Sequence, residues 1–369
     1  RENINAKIIS ITGSCGKTTL KEMIGYTLKK ISKTTYSPKS FNNKYGVPLS
    51  LFNLKEKDEF GVFEVGMDKK GEINNLTKII RPNLGIITNI SYAHSKNFKN
   101  ITQIADAKSE MINNIQKGGT IVLNMDDNFF NYHKKLALKE KLKIISFSIT
   151  NKFAMVKLVK IKKFKKKYEL FINVNGLSVS FYSHNDNRSH LYNILATLAS
   201  INVYKDINKL KKDNFLNFNT PKGRGDISKV KFKKKNIFLV DEAYNSNPLS
   251  LKTAIENYDK IEVKNSKKYL ILGDMLELGK HSVKQHKLIS SIVNKTKIDQ
   301  VYVIGKYIKE SFKGFNLNKK GKILTNKSNI FDLINHDLNN NDYLMIKGSN
   351  STGLHKITTV LKQRYSYAL

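Results

Sequence analysis

The residues best suited to chemistry surround a lysine and a threonine near the N-terminal end, Lys17 and Thr18. They belong to a glycine-containing stretch between an apolar run and a helical pattern, which consists of Gly13, Ser14, Cys15, Gly16, Lys17, Thr18 and Thr19. Glycines let backbone N–H groups turn toward one anion, and a helix N-terminus adds positive potential there. A lysine adds a mobile charge, and a threonine hydroxyl is a ligand for Mg²⁺. The stretch therefore predicts a nucleoside triphosphate site.

The match to the general phosphate-loop pattern is partial. That pattern has a glycine five positions before the glycine of Gly-Lys-Thr, and Ile11 stands there in this chain. The alternative interpretation is a glycine-rich turn between a strand and a helix that binds nothing. The position of Gly-Lys-Thr directly between those two elements favours the triphosphate site.

Three further side chains could serve a magnesium-dependent site. Hard oxygen ligands are expected at the carboxyl ends of neighbouring parallel strands. Glu64 follows such a run in FGVFEVG, and His94 follows the run NLGIITNIS. Lys108 lies in the helical stretch ITQIADAKSEMINNI. Each also has an ordinary interpretation, as a buried structural glutamate, a solvated loop histidine and a surface lysine.

Strand and helix patterns alternate along the first third of the chain. The runs AKIISIT, FGVFEVG and NLGIITNIS predict strands, and GKTTLKEMIGYTLKKI predicts a helix. Such alternation is typical of a parallel α/β sheet. Short strands are expected from residue 120 to about residue 182, before the apolar helix HLYNILATLASINVY.

The turn-rich stretch NFNTPKGRGD, residues 217–226, is the best candidate for a domain boundary. Beyond it, the strand patterns NIFLVDEA, KKYLILGD, QVYVIG and DYLMIKGS alternate with helix patterns in PLSLKTAIENY and SVKQHKLISSIVN. We therefore predict an α/β fold with two domains. Residues 1–221 would form a central P-loop-type ATP-binding domain with a mostly parallel sheet, and residues 222–369 a smaller Rossmann-like domain.

The composition is strongly basic, with 65 Lys and Arg against 30 Asp and Glu and a net charge of +35. Clustered positive charge can neutralise nucleic-acid phosphates. The lysines are spread over the whole chain, however, and neither a nucleic-acid motif nor an aromatic platform accompanies them, so we expect no nucleic-acid partner. The densest run, KLVKIKKFKKKYEL at residues 157–170, alternates apolar and basic residues and predicts a strand with one solvated face.

Cysteine use and hydropathy predict a cytoplasmic location. No apolar run approaches the roughly 20 residues of a membrane-spanning helix, and the first residues do not resemble a signal segment. The single cysteine, Cys15, excludes an internal disulfide. The chain begins with Arg1 rather than Met and a strand is predicted almost at once, so we expect a further segment upstream.

Taken together, these motifs resemble the ATP-dependent Mur ligases, and within them the MurF type. TGSCGKTT is similar to that family's phosphate loop, which explains the absence of the first glycine. NNKYGVP, FEVGMDKKGEI, TNISYAHSKNF and IADAKSEM resemble the segments that follow it, and DEAYNSNPLS, LGDMLELG and KGSNSTGLHKI resemble signatures of the family's last domain. The resemblance covers nearly the whole chain, except that the family's N-terminal uridine-nucleotide-binding domain would precede it.

The resemblance implies an activity. ATP would phosphorylate the C-terminal carboxylate of UDP-N-acetylmuramoyl-tripeptide, and D-alanyl-D-alanine would attack the acyl phosphate in peptidoglycan precursor synthesis. Thr18, Glu64 and His94 would ligate Mg²⁺, with Lys17 and His94 at the catalytic centre. Lys108 matches a lysine that CO₂ carboxylates in related Mur ligases, where the product helps to hold a second Mg²⁺.

The same resemblance implies nucleotide contacts outside the phosphate loop. Asn193 would lie at the adenine, within a helix motif that includes His190. Arg224 would contact the ATP phosphates from the domain junction. Glu242 and Asn245 match a loop of the second domain that closes over the nucleotide.

The chain departs from the family pattern in several places. Glu242 stands where the family usually has Asp, which keeps the charge but extends its reach. Leu191 replaces an asparagine, and Asn350 replaces an arginine that could grip a carboxylate or phosphate through two hydrogen bonds. Because of this replacement, contacts to the peptide substrates near Asn350 are expected to differ.

Lys347, three residues before Asn350, matches a late lysine of the family near the reacting carboxylate and is a further catalytic candidate.

Two other classes of function remain open from the sequence. One is another amide-forming ligase of the superfamily, such as a folylpolyglutamate synthase or a different Mur ligase. The other is a non-catalytic module that binds a nucleotide or a nucleic acid. We expect a monomer without a membrane partner.

Overall fold

The computed structural model describes residues 4–165 and 167–365, and the chain divides into two compact units. The first unit is Arg1–Ser91 with Asn97–Asn219, and the second is Tyr92–Lys96 with Thr220–Leu369. The division near residue 220 falls inside the turn-rich stretch 217–226, whereas the segment 92–96 groups with the second unit. The domains 1–221 and 222–369 are retained as a proposal.

Strands and helices alternate in the first part of the first unit and in most of the second, as the sequence pattern predicts. The strands of the first unit are β1 Lys7–Thr12, β2 Thr34–Tyr36, β3 Phe60–Glu64, β4 Leu84–Ile87, β5 Thr120–Asn124, β6 Lys143–Ser148, β7 Val156–Phe164, β8 Lys167–Val174 and β9 Leu177–Ser183. Its helices are α1 Lys17–Lys29, α2 Gly46–Phe52, α3 Glu72–Ile80, α4 Ile101–Ser109, α5 Phe130–Lys139 and α6 Arg188–Ile201.

The first unit is built on one sheet with the strand order β2-β3-β1-β4-β5-β6-β7-β8-β9. Strands β2 to β7 pair in parallel, with β1 between β3 and β4. The inner strands β1, β3, β4 and β5 are buried and mostly apolar, as expected where helices cover a parallel sheet on both faces. The order places the carboxyl ends of β3 and β4 on either side of the carboxyl end of β1.

The basic run at residues 157–170 is two strands rather than the single strand that we predicted. Strand β7 pairs antiparallel with β8, and β8 pairs antiparallel with β9. The run therefore contains a turn between β7 and β8, which the alternation of apolar and basic residues does not reveal. The outer part of β7 is exposed, in line with the expected solvated face.

The second unit has a sheet with the strand order β10-β11-β15-β12-β13-β14. Its strands are β10 Asp226–Phe232, β11 Lys235–Glu242, β12 Lys268–Gly273, β13 Gln300–Ile304, β14 Lys320–Ile323 and β15 Tyr343–Lys347. Its helices are α7 Pro248–Asp259, α8 Ser282–Asn294, α9 Lys309–Lys313, α10 Asn329–His336 and α11 Leu354–Tyr365. Among the described strands of this unit, only the β10–β11 pair is antiparallel, and the other pairs are parallel. This topology confirms the predicted α/β class.

Local sequence explains where α7 begins. Pro248 opens α7 after Asn247, whose side chain accepts a hydrogen bond from the Ser250 amide at 2.9 Å while the Ser250 hydroxyl accepts one from the Asn247 amide at 3.0 Å. This reciprocal cap satisfies two amides that a helix start leaves without intrahelical partners.

Among the described helices, none is long and apolar enough to cross a membrane.

Candidate active site

The predicted phosphate loop connects β1 to α1. Gly13 has a φ of 143° and Gly16 a φ of 83°, which are backbone conformations that side chains other than glycine rarely adopt. A Cβ at Gly13 would lie 1.9 Å from the Thr88 hydroxyl oxygen. Both glycines are therefore required by the backbone path, and Gly16 is the residue that precedes the first turn of α1.

Side chains from the end of β4 hold this loop in place. The Thr88 hydroxyl donates to the Cys15 carbonyl at 2.7 Å, and the Cys15 amide donates to the Asn89 side-chain oxygen at 3.0 Å. The Ser14 amide donates to the Asn89 carbonyl at 2.9 Å. Thr88 and Asn89 thus fix the loop at two consecutive residues. Sequence reasoning did not single them out, although both lie in the quoted run NLGIITNIS.

Lys17, Thr18 and Glu64 meet at the start of α1. The Lys17 ammonium donates to the Gly13 carbonyl at 2.8 Å, so it lies over the loop. The Thr18 hydroxyl donates to Glu64 Oε2 at 2.7 Å, and Glu64 is only 1% exposed. Asn42 donates to the other oxygen of Glu64 at 2.6 Å. The next residue of the helix, Thr19, is buried in the same turn.

Lys108 lies on α4 and is 1% exposed. Burial in low dielectric disfavours the ammonium form and lowers its pKa well below the ordinary lysine value, and the charge of Lys17 lowers it further. The surface-lysine interpretation is therefore wrong. A buried lysine with a lowered pKa carries a nucleophilic, uncharged amine over a wider pH range than a solvated one.

Asn193 and His190 project from the first half of α6. Asn193 Oδ1 lies 3.4 Å from the position that a Cβ at Gly16 would take, so this amide faces the end of the phosphate loop. His190 is buried, and its Nε2 has no hydrogen-bond partner among the described residues. Burial lowers the pKa of His190 to about 4, so the ring is neutral at pH 7. Leu191 points into the apolar core of the unit.

The second unit assembles another group of the predicted residues. Lys347 is 1% exposed, and its ammonium lies 3.2 Å from Glu242 Oε2 and donates to the Asn245 carbonyl at 3.1 Å. The Arg224 guanidinium stacks 4.2 Å from the centre of the Tyr244 ring. The parallel pairing of β11 with β15 aligns Glu242 with Lys347, which explains why residues 105 positions apart meet.

Asn350 is held close to the same loop. Its side-chain nitrogen donates to the Tyr244 carbonyl at 3.2 Å. An asparagine can make this bond but offers no guanidinium, so the departure from the family pattern changes the chemistry at this position.

His94 belongs to the second unit, whereas Thr18 and Glu64 belong to the first. Its Nδ1 lies 2.7 Å from Glu277 Oε2, and hydrogen bonding from His94 lowers the pKa of the Glu277 carboxyl. Both residues have positive φ values, 54° at His94 and 64° at Glu277. The Lys96 amide also donates to the Glu277 carbonyl at 2.8 Å. Glu277 was not a sequence-based candidate, although it lies in the quoted stretch LGDMLELG.

Family comparisons agree with the two units. The family model described as Mur ligase middle domain matches residues 11–201, and the model described as Mur ligase, glutamate ligase domain matches residues 228–350. The first match alone covers more than half of the chain.

Named relatives and solved structures extend the match. The chain is 30% identical to the UDP-N-acetylmuramoyl-tripeptide--D-alanyl-D-alanine ligase of Buchnera aphidicola from Acyrthosiphon pisum over 97% of this chain and 77% of that protein. It is also 30% identical to the ligase of the same name from Rickettsia prowazekii, over 97% of this chain and 78% of that protein. MurF from Acinetobacter baumannii superposes with a TM-score of 0.86 at 24% identity, over 98% of this chain and 78% of that one. MurF ligase from Thermotoga maritima in complex with ADP superposes with a TM-score of 0.84 at 23% identity, over 98% of this chain and 81% of that one. The chain belongs to the Mur ligase family.

Proposed function

We propose that this chain catalyses the ATP-dependent addition of D-alanyl-D-alanine to UDP-N-acetylmuramoyl-tripeptide in the cytoplasm, as a monomer. The observation that carries the proposal is the buried Thr18–Glu64 pair beside a phosphate loop in a chain 30% identical to ligases of that name. Thr18 and Asn42 orient the two oxygens of the buried Glu64 side chain next to the loop, where a nucleotide-bound divalent cation needs oxygen ligands. ATP and the two peptide substrates are therefore its proposed ligands.

The oxygen donors fit Mg²⁺. Thr18 and Glu64 present a hydroxyl and a carboxylate, which are the hard ligands that this ion prefers, and their oxygens already lie 2.7 Å apart. His94 is the proposed third protein ligand. Bound Mg²⁺ would neutralise charge on the triphosphate during phosphoryl transfer.

The chain's own residues position and neutralise the reactants. The tripeptide carboxylate oxygen attacks the γ-phosphorus, the bond to the β-phosphate oxygen breaks, and ADP leaves with that electron pair. The Lys17 ammonium, held over the loop, would offset the repulsion between carboxylate and triphosphate. The amine of D-alanyl-D-alanine then attacks the acyl carbon, phosphate leaves, and the amine loses a proton. Lys347 would lie near the reacting carboxylate, and Asn193, Arg224, Glu242 and Asn245 would contact the nucleotide.

Lys108 is proposed to carry a carbamate. Its neutral amine attacks the carbon of CO₂, an N–C bond forms, and the nitrogen loses one proton, which converts a potential cation into an anion. The lowered pKa of Lys108 supports this, since only the uncharged amine reacts. The carbamate would help to hold a second Mg²⁺.

Replacing Lys17 tests the assignment. In Lys17→Ala, phosphate release that depends on both UDP-N-acetylmuramoyl-tripeptide and D-alanyl-D-alanine should fall by at least about a hundredfold, as for other removed transition-state donors. Lys29→Ala is the matched control, because Lys29 is an exposed lysine in the last turn of the same helix. Near-normal turnover of Lys17→Ala would refute the proposed role of the loop.

Chemical rescue tests the carbamate. Lys108→Ala should lose ligase activity, and a short-chain carboxylic acid added in solution should restore part of it by replacing the missing carboxylate. The same acid should not rescue Lys17→Ala, which lacks a cation instead. Loss of activity in Lys108→Ala without any rescue would contradict the carbamate.

A further inference from the structure

A second lysine of α1, Lys21, is completely buried and has no part in the proposed chemistry. Its ammonium donates to the carbonyls of Ser37 and, at 2.6 Å, Lys39, and to Glu22 Oε1 at 2.6 Å. Two of these three acceptors are main-chain oxygens of the segment that follows β2. Lys21 therefore ties that segment to α1 one helical turn beyond Lys17.

The tied segment leads directly to two side chains at the Thr18–Glu64 pair. The Ser40 hydroxyl lies 3.0 Å from the Thr18 hydroxyl oxygen. Asn42 donates to Glu64 Oε1 at 2.6 Å, while Thr18 donates to Glu64 Oε2 at 2.7 Å. Ser40 and Asn42 thus fix the orientation of the Thr18 hydroxyl and the Glu64 carboxylate, which are the proposed cation ligands.

The segment needs an external restraint to keep this path. Lys39 has a φ of 47°, a left-handed conformation that is unfavourable for a residue with a side chain. Its carbonyl is one of the two that Lys21 binds, so the restraint acts at the strained residue itself. A change at Lys39 would shift the next residue, Ser40, away from Thr18.

We propose that Lys21 is a positioning residue for the cation site: it holds the 37–40 segment so that Ser40 and Asn42 orient the Thr18 hydroxyl and the Glu64 carboxylate. The inference rests on the proposed function, because it assumes that these two oxygens bind a divalent cation with the nucleotide. Residues that orient metal ligands usually change affinity for the metal when they are removed. In this role Lys21 acts through Ser40 and Asn42 rather than as a ligand of the cation.

The chain offers a matched control in its second unit. Lys319 is also buried, and its ammonium donates to the carbonyls of Thr296 and Ile298 at 2.6 and 2.8 Å. Its acceptors connect the end of α8 to β13, so Lys319→Met removes a buried, carbonyl-bound ammonium from a different part of the fold. Both substitutions keep an unbranched apolar stem of similar length.

The test measures Mn²⁺ as a stand-in for Mg²⁺. Free Mn²⁺ is followed by electron paramagnetic resonance in the presence of the full chain and a non-hydrolysable ATP analogue. Lys21→Met should raise the dissociation constant for Mn²⁺ by about tenfold, while binding of the analogue in EDTA should stay as in the unaltered chain. Lys319→Met should leave both affinities unchanged. Equal Mn²⁺ affinity in Lys21→Met and the unaltered chain, or an equal loss in Lys319→Met, would overturn the inference.

Ser40→Ala keeps the inference testable if Lys21→Met does not fold. It leaves the buried ammonium in place and should also weaken Mn²⁺ binding. Where Lys21→Met folds, the losses in Lys21→Met and Ser40→Ala should be less than additive in the double variant, because both act through the Thr18 hydroxyl. Additive losses, or Mn²⁺ binding by Ser40→Ala equal to that of the unaltered chain, would refute the route through Ser40. Ligase turnover of the unaltered chain is measured separately, so a chain that binds Mn²⁺ without ligating would contradict the proposed function and leave the result on Lys21 standing.

Discussion

Adding one methyl group at Gly13 should damage the phosphate loop far more than the same change at an open glycine. A Cβ at Gly13 would lie 1.9 Å from the Thr88 hydroxyl oxygen and 3.1 Å from the Thr88 amide nitrogen. The Thr88 amide also donates to the Thr12 carbonyl at 3.0 Å, so the backbone of β4 cannot retreat without losing that bond. Either Thr88 rotates and releases Cys15, or the loop moves.

The magnitude follows from two contributions. A residue other than glycine at a φ of 143° costs about 1–3 kcal/mol of backbone strain. Overpacking a filled site costs about 1–3 kcal/mol more. The free energy of unfolding should therefore fall by about 4 kcal/mol in Gly13→Ala, and binding of an ATP analogue should be lost because the loop no longer keeps its shape.

Urea unfolding followed by circular dichroism measures the stability, and Gly118→Ala is the control. Gly118 has a φ of 74° and nothing within 4 Å of a new Cβ, so only the left-handed backbone is affected, at about 1–2 kcal/mol. Thr88→Ala removes the hydroxyl oxygen that the new methyl group would strike, and it should therefore recover part of the loss in the double variant. A Gly13→Ala chain that is as stable as Gly118→Ala and binds the analogue normally would refute the reasoning.

Two further predictions concern stability. Burial lowers the pKa of His133 to about 4 from 6.5, so the unfolded chain takes up a proton first as the pH falls, and stability is lost between the two values. From pH 7 to pH 5 the free energy of unfolding should fall by about 2 kcal/mol through this group, and His133→Gln should lack that fall. Urea titrations at both pH values measure it, and an equal pH dependence in His133→Gln and the unaltered chain would contradict the prediction. Asn247→Ala removes the N-terminal cap of α7 and should cost about 1 kcal/mol by thermal unfolding, whereas Asn128→Ala, at an exposed turn, should cost less.

The fold class can be predicted from short sequence patterns. The run SVKQHKLISSIVN is α8 from its first to its last residue, and KIISIT is β1. Parallel strands covered on both faces must be apolar throughout, and helices that cover them must be apolar on one side, so both leave a local signal. The predicted α/β class and its alternation of elements are confirmed for this reason.

The candidate site was accessible from sequence only where a motif is local. Lys17 and Thr18 follow from a loop of a few residues, whereas Ser40 and Lys21 carry no signal, because an isolated serine or lysine has many ordinary positions. At residues 157–170 a local pattern was present but incomplete, since the alternation of apolar and basic residues does not reveal where β7 ends and β8 begins.

What the sequence by itself determined was the kind of most elements and the position of the predicted phosphate loop between β1 and α1, because both depend on residues within a few positions of one another. Only the tertiary structure decided which side chains meet that loop. Strand order places β1 between β3 and β4, which brings Glu64 to Thr18 and Thr88 to Gly13. Burial likewise lowers the pKa of Lys108, since a pKa depends on the dielectric and the charges around a group rather than on its neighbours in sequence.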